Sequence, residues 1–195
     1  MEKIIEDIRK CEKCELFKTR TQAVPGDGNL KAEIIIVGEA PGKNEDLKGV
    51  PFVGRAGKIL DEMLLKIGLE RRDIYITNIV KCRPPKNRDP TPEEKKICSI
   101  HLDKQIKEMK PKVIVSLGRH SGKYLFEKYG MEFPGIREAH GKGFKTSEGL
   151  LLFPIYHPAA AIYNQKLKKD LEEDFNKLLE IVEKPKKGKS LVDYF

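Results

Sequence analysis

The 195-residue chain carries 38 Lys and Arg residues against 30 Asp and Glu residues, which gives a net charge of +8 and a pI of about 9.2. A chain of this length suits one domain, and it contains no apolar run approaching the roughly 18 residues of a membrane-spanning helix, so a membrane protein is excluded. The basic excess favours a polyanionic partner, although a solvated lysine-rich surface explains the same charge, and the mixed-charge start MEKIIE indicates an intracellular protein without a secretory signal.

Four cysteines form a close pair, Cys11 and Cys14, and a distant pair, Cys82 and Cys98. The Cys-x-x-Cys spacing places two thiolates on one turn, and four thiolates match the ligand count of a structural zinc ion or an iron–sulfur cluster. The alternatives are unrelated buried thiols or two disulfides, which are rare in proteins without a secretory signal. The cysteines therefore predict a metal or cluster site that ties the N-terminus to the middle of the chain.

Short apolar runs alternate with stretches of helical spacing. Buried parallel strands are predicted at residues 33–37, 74–80, 113–117 and 150–155. Helices are predicted at residues 56–67, 91–109, 122–129 and 168–182. This alternation predicts an α/β domain, a three-layer α/β/α sandwich around a four-stranded, mainly parallel sheet. We expect the domain to span residues 1–183 and residues 184–195 to form a basic linker and a tail.

Unusual residues follow the ends of the predicted strands. GEAPG at residues 38–42 follows the first strand, Asn78 ends the second, and GRHSG at 118–122 and YHPAA at 156–160 follow the third and fourth. Because ligands bind outside the carboxyl ends of parallel strands, we expect one cleft at this edge. Each feature alone has a structural explanation, such as a satisfied core amide for Asn78 or core packing for Phe52.

Taken in this order along the chain, the motifs resemble the family 4 uracil-DNA glycosylases over residues 3–182. The residues that carry the resemblance are the Cys-x-x-Cys pair, GEAPG, PFVG at 51–54, TNIVKCRPP at 77–85, Cys98 and YHPA at 156–159. The resemblance implies a monofunctional enzyme that hydrolyses the N-glycosidic bond of uracil in DNA and leaves an abasic site for base excision repair. It also implies a structural [4Fe–4S] cluster on Cys11, Cys14, Cys82 and Cys98, although the ligand type alone does not separate a cluster from zinc.

The same residues suit the implied reaction. An enzyme that acts on a base in duplex DNA rotates the base into a pocket and reads its Watson–Crick edge. Asn78 can pair with O4 and N3–H of uracil, whereas cytosine presents the reverse polarity. Phe52 can stack on the flipped ring, and His157, as a neutral imidazole, can donate a hydrogen bond to O2 of the departing uracil. The resemblance places Gly38 and Ala40 in the same pocket.

The choice of a water-activating group stays open in the sequence. Ala40 stands where the best-known uracil glycosylase family has an aspartate, so either Glu39 or Glu45 orients the water, or electrostatics drives a dissociative reaction. The resemblance also implies that Glu45 crowds C5 and excludes thymine. We expect Arg119 and His120 to contact phosphates, with a solvated surface as the alternative, and no cleft lysine to act as an amine nucleophile. The rival hypothesis is a non-catalytic, cluster-bearing nucleic-acid-binding module.

The C-terminal segment SLVDYF follows a basic linker, KPKKGK. Leu191, Tyr194 and Phe195 can share one side of a helical turn, and they resemble the sliding-clamp-binding motif of repair proteins, except that Gly188 replaces the usual glutamine. The alternative is a tail that folds its aromatic rings onto the domain. We further expect a monomer in the cytoplasm of a prokaryote, associated with the nucleoid. The clamp motif favours an archaeal source, and the charged, tryptophan-free composition favours a thermophile.

Overall fold

The computed structural model describes residues 1–183. Its α-helices are α1 (Glu2–Arg9), α2 (Lys43–Lys48), α3 (Arg55–Lys66), α4 (Pro92–Met109), α5 (Gly118–Lys128), α6 (Ile136–Ala139), α7 (Pro158–Ala161) and α8 (Gln165–Glu183). Its strands are β1 (Asp27–Gly28), β2 (Ile34–Gly38), β3 (Tyr75–Asn78), β4 (Val113–Leu117), β5 (Phe144–Lys145) and β6 (Leu151–Ile155). The predicted linker and clamp-binding tail at residues 184–195 lie outside the described residues.

The strands form one six-stranded sheet in the order β1-β3-β2-β4-β6-β5. The four central strands are parallel, and the two-residue edge strands β1 and β5 pair antiparallel with β3 and β6. The expectation of a four-stranded sheet is therefore wrong in number, because strands of two residues have no apolar run from which to predict them. From β2 the chain adds β3 on one side and β4 on the other, so the strand order reverses at β2, where ligands of open α/β sheets bind.

Helices cover both faces of the sheet because alternate residues of a strand point to opposite sides. Ile34 and Ile36 of β2 pack in an apolar cluster with α3, α7 and α8. Ile35 and Val37 pack in a second cluster with α1, α4 and α5. Burial on both faces explains why the central strands are continuous apolar runs in the sequence. Among the described residues, no helix combines the length and apolarity needed to cross a membrane.

The helix ends differ in how well the sequence predicts them. α4 begins where the sequence predicts, and Thr91 caps it, since its Oγ1 accepts from the Glu94 N–H (3.1 Å) and the Glu94 carboxylate accepts from the Thr91 N–H (2.8 Å). By contrast, α5 begins at Gly118 and not at residue 122, so GRHSG is the first turn of a helix instead of a loop. The Ser121 hydroxyl donates to the Leu117 carbonyl (2.8 Å), which satisfies a polar group at this buried start.

Candidate functional site

A cavity of about 750 Å³ opens at the carboxyl ends of the central strands. Six residues that the sequence predicts for the site line it: Glu39, Ala40, Glu45, Phe52, Asn78 and His157. The loops after β2, β3, β4 and β6 all contribute, so the structure brings the predicted segments together. A second cavity, of about 590 Å³, lies at the amino ends of β4 and β6 and contains none of these residues.

Gly38 lies beneath the cavity and makes room for two of the lining residues. It ends β2 and pairs with Asn78 of β3 across the sheet. A Cβ atom at this position would lie 2.3 Å from Asn78 Oδ1 and 2.7 Å from Cζ of Phe52. Any larger residue would therefore displace the amide or the ring, so glycine is required here by close approach of side chains.

Asn78 carries an unsatisfied acceptor. The residue is 1% exposed, and its Oδ1 has no hydrogen-bond partner among the described residues. Leaving a buried acceptor unpaired costs about 1–3 kcal/mol, so such groups are rare unless a ligand completes them. The alternative interpretation of Asn78 as a core amide with all its hydrogen bonds satisfied is therefore wrong, because Oδ1 has no partner in the described part of the chain.

Phe52 adopts a backbone conformation that bulky residues rarely occupy, with φ of 53°. Arg71 holds this turn, because its guanidinium donates to the Pro51 carbonyl (2.9 Å) and to the Phe52 carbonyl and pairs with Asp61 (2.7 Å). Gly57 of α3 permits the turn, since a Cβ atom there would collide with the Phe52 carbonyl. The aromatic ring is thus fixed at the cavity by contacts on the far side of its own backbone.

His157 stands between β6 and α7 and caps the helix. Its Nδ1 accepts a hydrogen bond from the Ala159 N–H (3.1 Å), so the single proton of the neutral ring lies on Nε2. Burial, with a smaller contribution from the charge of His120, lowers the pKa of His157 to about 4. The Phe52 and His157 ring centroids are 5.8 Å apart. A neutral imidazole with a donating Nε2–H therefore faces the same cavity as the phenyl ring.

The two glutamates differ in what they bind. Glu45 accepts hydrogen bonds from three backbone N–H groups, those of Gly42 (3.1 Å), Val53 (2.9 Å) and Gly54 (2.8 Å). Its carboxylate thus joins the loop after β2 to the turn that follows Phe52. Glu39 Oε1 lies 2.7 Å from Lys95 Nζ, which makes Glu39 one half of an ion pair.

Cations surround the mouth of the cavity. Lys43, Arg55, Arg88 and Arg119 contribute to its lining, together with His120. Lys43 belongs to the first turn of α2, directly after the GEAPG motif, and lines the cavity. That no cleft lysine acts as an amine nucleophile stays a prediction. Arg119 and His120 contact each other (3.1 Å) at the start of α5, on the same side as Asp89. This arrangement suits an anionic ligand that crosses the opening.

The four cysteines make a candidate second site, and none of them belongs to the lining of the cavity. None of them is in a disulfide, so the disulfide alternative is wrong. Burial raises the pKa of Cys82 and raises the pKa of Cys98 to about 12. The charge of the Cys14 thiolate makes a smaller contribution that raises both pKa values. Cys11 also raises the pKa values of Cys14 and Cys82, as a smaller contribution than burial. Buried thiolates need a nearby positive charge, which a metal ion or cluster supplies.

Nitrogen donors surround the sulfur atoms of this second site. The Lys81 N–H donates to Cys98 Sγ (3.2 Å), and the guanidinium of Arg20 donates to Cys82 Sγ (3.0 Å). His101 Nε2 lies 3.3 Å from Cys11 Sγ. Hydrogen bonds to sulfur stabilise thiolate ligands of iron–sulfur clusters, so the residues present fit such a group.

Three residues at these sites escape prediction from the sequence. Arg71 and Lys95 lie in charged stretches that resemble any solvated surface, so no local signal marks their partners. Lys81 does carry a signal, since a lysine directly after the apolar run of β3 is unusual. It is 1% exposed, and burial lowers the pKa of Lys81 to about 7.

Comparisons with known proteins point to one family. The family model of the Uracil DNA glycosylase superfamily matches residues 25–180. The chain is 54% identical over 200 residues to a type-4 uracil-DNA glycosylase of Sulfurisphaera tokodaii, covering 100% of this chain and 90% of that protein. It is 49% identical to the type-4 enzyme of Archaeoglobus fulgidus (100% and 98% covered) and 40% identical to that of Thermotoga maritima (94% and 95%).

We expect Arg71→Met to destabilise the protein, because it removes the donors to two buried carbonyl groups of the Phe52 turn. A loss of about 1–3 kcal/mol corresponds to a fall in melting temperature of roughly 2–12 °C for a domain of this size. Thermal unfolding measured by circular dichroism checks the prediction. Arg72→Met is the matched control, since that neighbouring side chain is exposed and, within residues 1–183, pairs with Glu70 alone. Equal effects of the two substitutions would contradict the role of Arg71.

Proposed function

The chain belongs to the uracil-DNA glycosylase superfamily, and we propose that it hydrolyses the N-glycosidic bond of uracil in DNA and leaves an abasic site, the first step of base excision repair. The observation that carries the proposal is the shared cavity, in which an unpaired amide, an aromatic ring and a neutral imidazole meet. Its volume of about 750 Å³ accommodates a pyrimidine base that has rotated out of the duplex.

Asn78 reads the base. Its side chain can donate to O4 of uracil and accept from N3–H, and the acceptor that pairs with N3–H is the oxygen that lacks a partner in the protein. Cytosine offers a donor where uracil has O4 and an acceptor where uracil has N3–H. Both groups of Asn78 would then be buried against groups of the same kind, so cytosine is rejected.

Phe52 supplies the stacking surface for the uracil ring. A base stacked on an aromatic side chain gains about 1–3 kcal/mol, which helps to offset the cost of leaving the duplex. Because Gly38 allows the ring and the Asn78 amide to approach each other, one planar ligand can contact both. Ala40 adds an apolar wall without a carboxylate.

His157 stabilises the leaving group. Negative charge accumulates on uracil as the N-glycosidic bond breaks, and the Nε2–H of a neutral imidazole can donate to O2. Removing one such donor costs on the order of 10²–10³ in rate. The Ala159 N–H fixes the ring orientation through Nδ1, so the donor is already aligned before the substrate binds.

The two glutamates take different roles in this proposal. Glu45 uses both carboxylate oxygens on backbone donors, so we assign it to holding the pocket walls together and, as the family resemblance implies, to crowding C5 of thymine. Glu39 keeps one oxygen outside its ion pair with Lys95 and can orient the attacking water. The negative charge of Glu39 also favours the positive sugar that a dissociative reaction produces.

The cations at the cavity mouth are proposed to hold DNA. Arg119 and His120 at the start of α5 can contact the phosphates that flank the flipped nucleotide. Lys43 requires separate treatment, because an amine in the cavity raises the question of a strand-cleaving lyase step. Schiff-base lysines are activated by desolvation in apolar pockets, whereas Lys43 is exposed, so a monofunctional enzyme is expected.

The cysteine site is proposed to hold a [4Fe–4S] cluster on Cys11, Cys14, Cys82 and Cys98. When bound, the cluster supplies a structural cross-link and takes no part in the hydrolysis. It would tie the N-terminal segment and α4 to the end of β3, next to the pocket wall that carries Asn78.

The proposed function also bears on the partner of the protein, its fold, its oligomeric state and its location. Uracil-containing DNA is the partner, and the apolar clusters on both faces of the sheet support the three-layer sandwich. From the sequence we also propose sliding-clamp binding through Leu191, Tyr194 and Phe195. We further propose a monomer in the cytoplasm of a thermophilic archaeon.

The direct test is incubation with a duplex oligonucleotide that contains one uracil, followed by hot alkali to break any abasic site. We expect scission after alkali and none without it, and a roughly 10²–10³-fold slower rate for His157→Ala. Asn78→Ala is expected to lose most activity while keeping the unfolding temperature of the wild type. Protein that binds the oligonucleotide but leaves the uracil in place would support the rival non-catalytic module.

The pH dependence of the single-turnover rate follows from the pKa of His157. The neutral ring is the active form and exists above the pKa of about 4, so the rate should stay constant as the pH falls from 8 to about 5 and drop below it. An ordinary histidine would lose its neutral form near pH 6.5 instead. A rate that halves at that higher pH is the contrary result, and visible absorbance recorded at each pH controls for cluster loss.

The cluster is tested by metal analysis of protein purified without oxygen. We expect about four iron atoms per chain and a brown colour, and both should be lost in Cys98→Ala. Stoichiometric zinc in a colourless protein would show that the cysteines bind zinc instead. Lys81→Met serves as the control, because its backbone N–H, which donates to Cys98, is unchanged.

A further inference from the structure

Lys81 is a buried lysine that the reaction described above does not use. Its ammonium nitrogen lies 2.6 Å from Thr77 Oγ1, 2.7 Å from the backbone carbonyl of Asn78 and 2.7 Å from Gln105 Oε1. These three partners are uncharged, although burying a charge without a counter-ion is costly. A group retained at such cost needs an explanation in function or folding.

All three neighbours of the Lys81 nitrogen present acceptors. The Thr77 hydroxyl donates its hydrogen bond to the Pro25 carbonyl (2.8 Å), so its oxygen can accept from the lysine. The Gln105 amide directs its NH₂ group to Pro25 (2.9 Å) and to the Tyr75 hydroxyl (3.1 Å), which leaves its oxygen for the lysine. The Lys81 side-chain nitrogen is therefore the donor that these three acceptors share.

The contact with Asn78 lies where β3 ends. The last paired residues of β2 and β3 are Gly38 and Asn78, and the following N–H groups of Ile79 and Val80 donate to Gly38 (3.0 Å) and Glu39 (2.9 Å). The Asn78 carbonyl accepts a hydrogen bond from the Lys81 ammonium, and Lys81 is not among the residues that line the cavity. Rotation of this peptide would move the Asn78 side chain, and the close approach to Gly38 leaves little room for such movement.

We propose that Lys81 is a positioning residue for uracil recognition, which fixes the Asn78 peptide so that the Asn78 amide meets the base in one orientation. This role rests on the proposed uracil excision. Lys81 is itself anchored, because its N–H donates to Cys98 Sγ and the next residue is Cys82. The base-reading amide is thereby supported by a residue that the cysteine site holds in place.

The test is a double-mutant cycle between Lys81→Met and Asn78→Ala, read by the single-turnover rate of uracil release. Methionine has similar length and removes only the ammonium. In the wild-type background we expect Lys81→Met to slow release about 10- to 100-fold, the effect of losing roughly 1.4–2.7 kcal/mol of transition-state stabilisation. In the Asn78→Ala background it should slow release less than about 3-fold, because the residue on which it acts is absent.

Two further measurements separate positioning from a general loss of structure. DNA affinity at fixed salt and the iron content of Lys81→Met should match the wild type, because the phosphate contacts and the Cys98 hydrogen bond are intact. Tyr75→Phe is the matched control, since it removes a hydroxyl from the far end of the same polar network and leaves the three lysine contacts. Its rate should change less than about 3-fold.

Should Lys81→Met fail to fold, Thr77→Val replaces it in the cycle. This near-isosteric change removes one of the three acceptors, together with the donor to the Pro25 carbonyl, and leaves the Asn78 and cysteine side chains unchanged. A smaller loss that also vanishes with Asn78→Ala supports the proposal. Equal losses in both backgrounds, or no loss in the wild-type background, would overturn it. If the wild-type protein itself releases no uracil, the proposed function fails instead, so the two failures are distinguishable.

Discussion

The structure depends on one close approach at the end of strand β2. Because Gly38 has no side chain, the Asn78 amide and the Phe52 ring come within reach of a single planar base. Gly38 ends β2, the strand at which the order of the sheet reverses, and the loops that follow β2 and its neighbours leave a crevice at this edge. A methyl group at this point would force apart the two surfaces that recognise the edge and the face of the ligand.

Polar side chains hold three segments that form the cavity. Arg71 holds the carbonyl groups of the Phe52 turn, Glu45 gathers three N–H groups of the neighbouring loops, and Lys81 holds the Asn78 carbonyl. Arg71 and Lys81 lie outside the lining of the cavity, whereas Glu45 is part of it. Binding groups with fixed orientations lose little entropy when the ligand arrives.

Protonation follows from the same geometry. Burial keeps His157 neutral, and the Ala159 N–H places its proton on the nitrogen that faces the cavity. The cysteine thiols show the opposite requirement, since burial raises their pKa values and only a cationic group makes thiolates stable there. Burial therefore has different consequences at the two sites. It keeps the His157 imidazole uncharged, whereas cysteine thiolates are stable there only beside a positive charge.

The sequence alone determined the alternating α/β pattern, the four central strands and the motifs at their ends, because apolar runs and glycine-rich turns are local signals. It did not reveal the edge strands, the early start of α5 or Lys43 in the cavity, since strands of two residues and exposed cations leave no pattern. The tertiary structure decided that Asn78 Oδ1 is unpaired, that Glu45 is fully engaged by backbone donors and that Lys81 is buried. These properties depend on which distant residues meet, and only the packed chain specifies those partners.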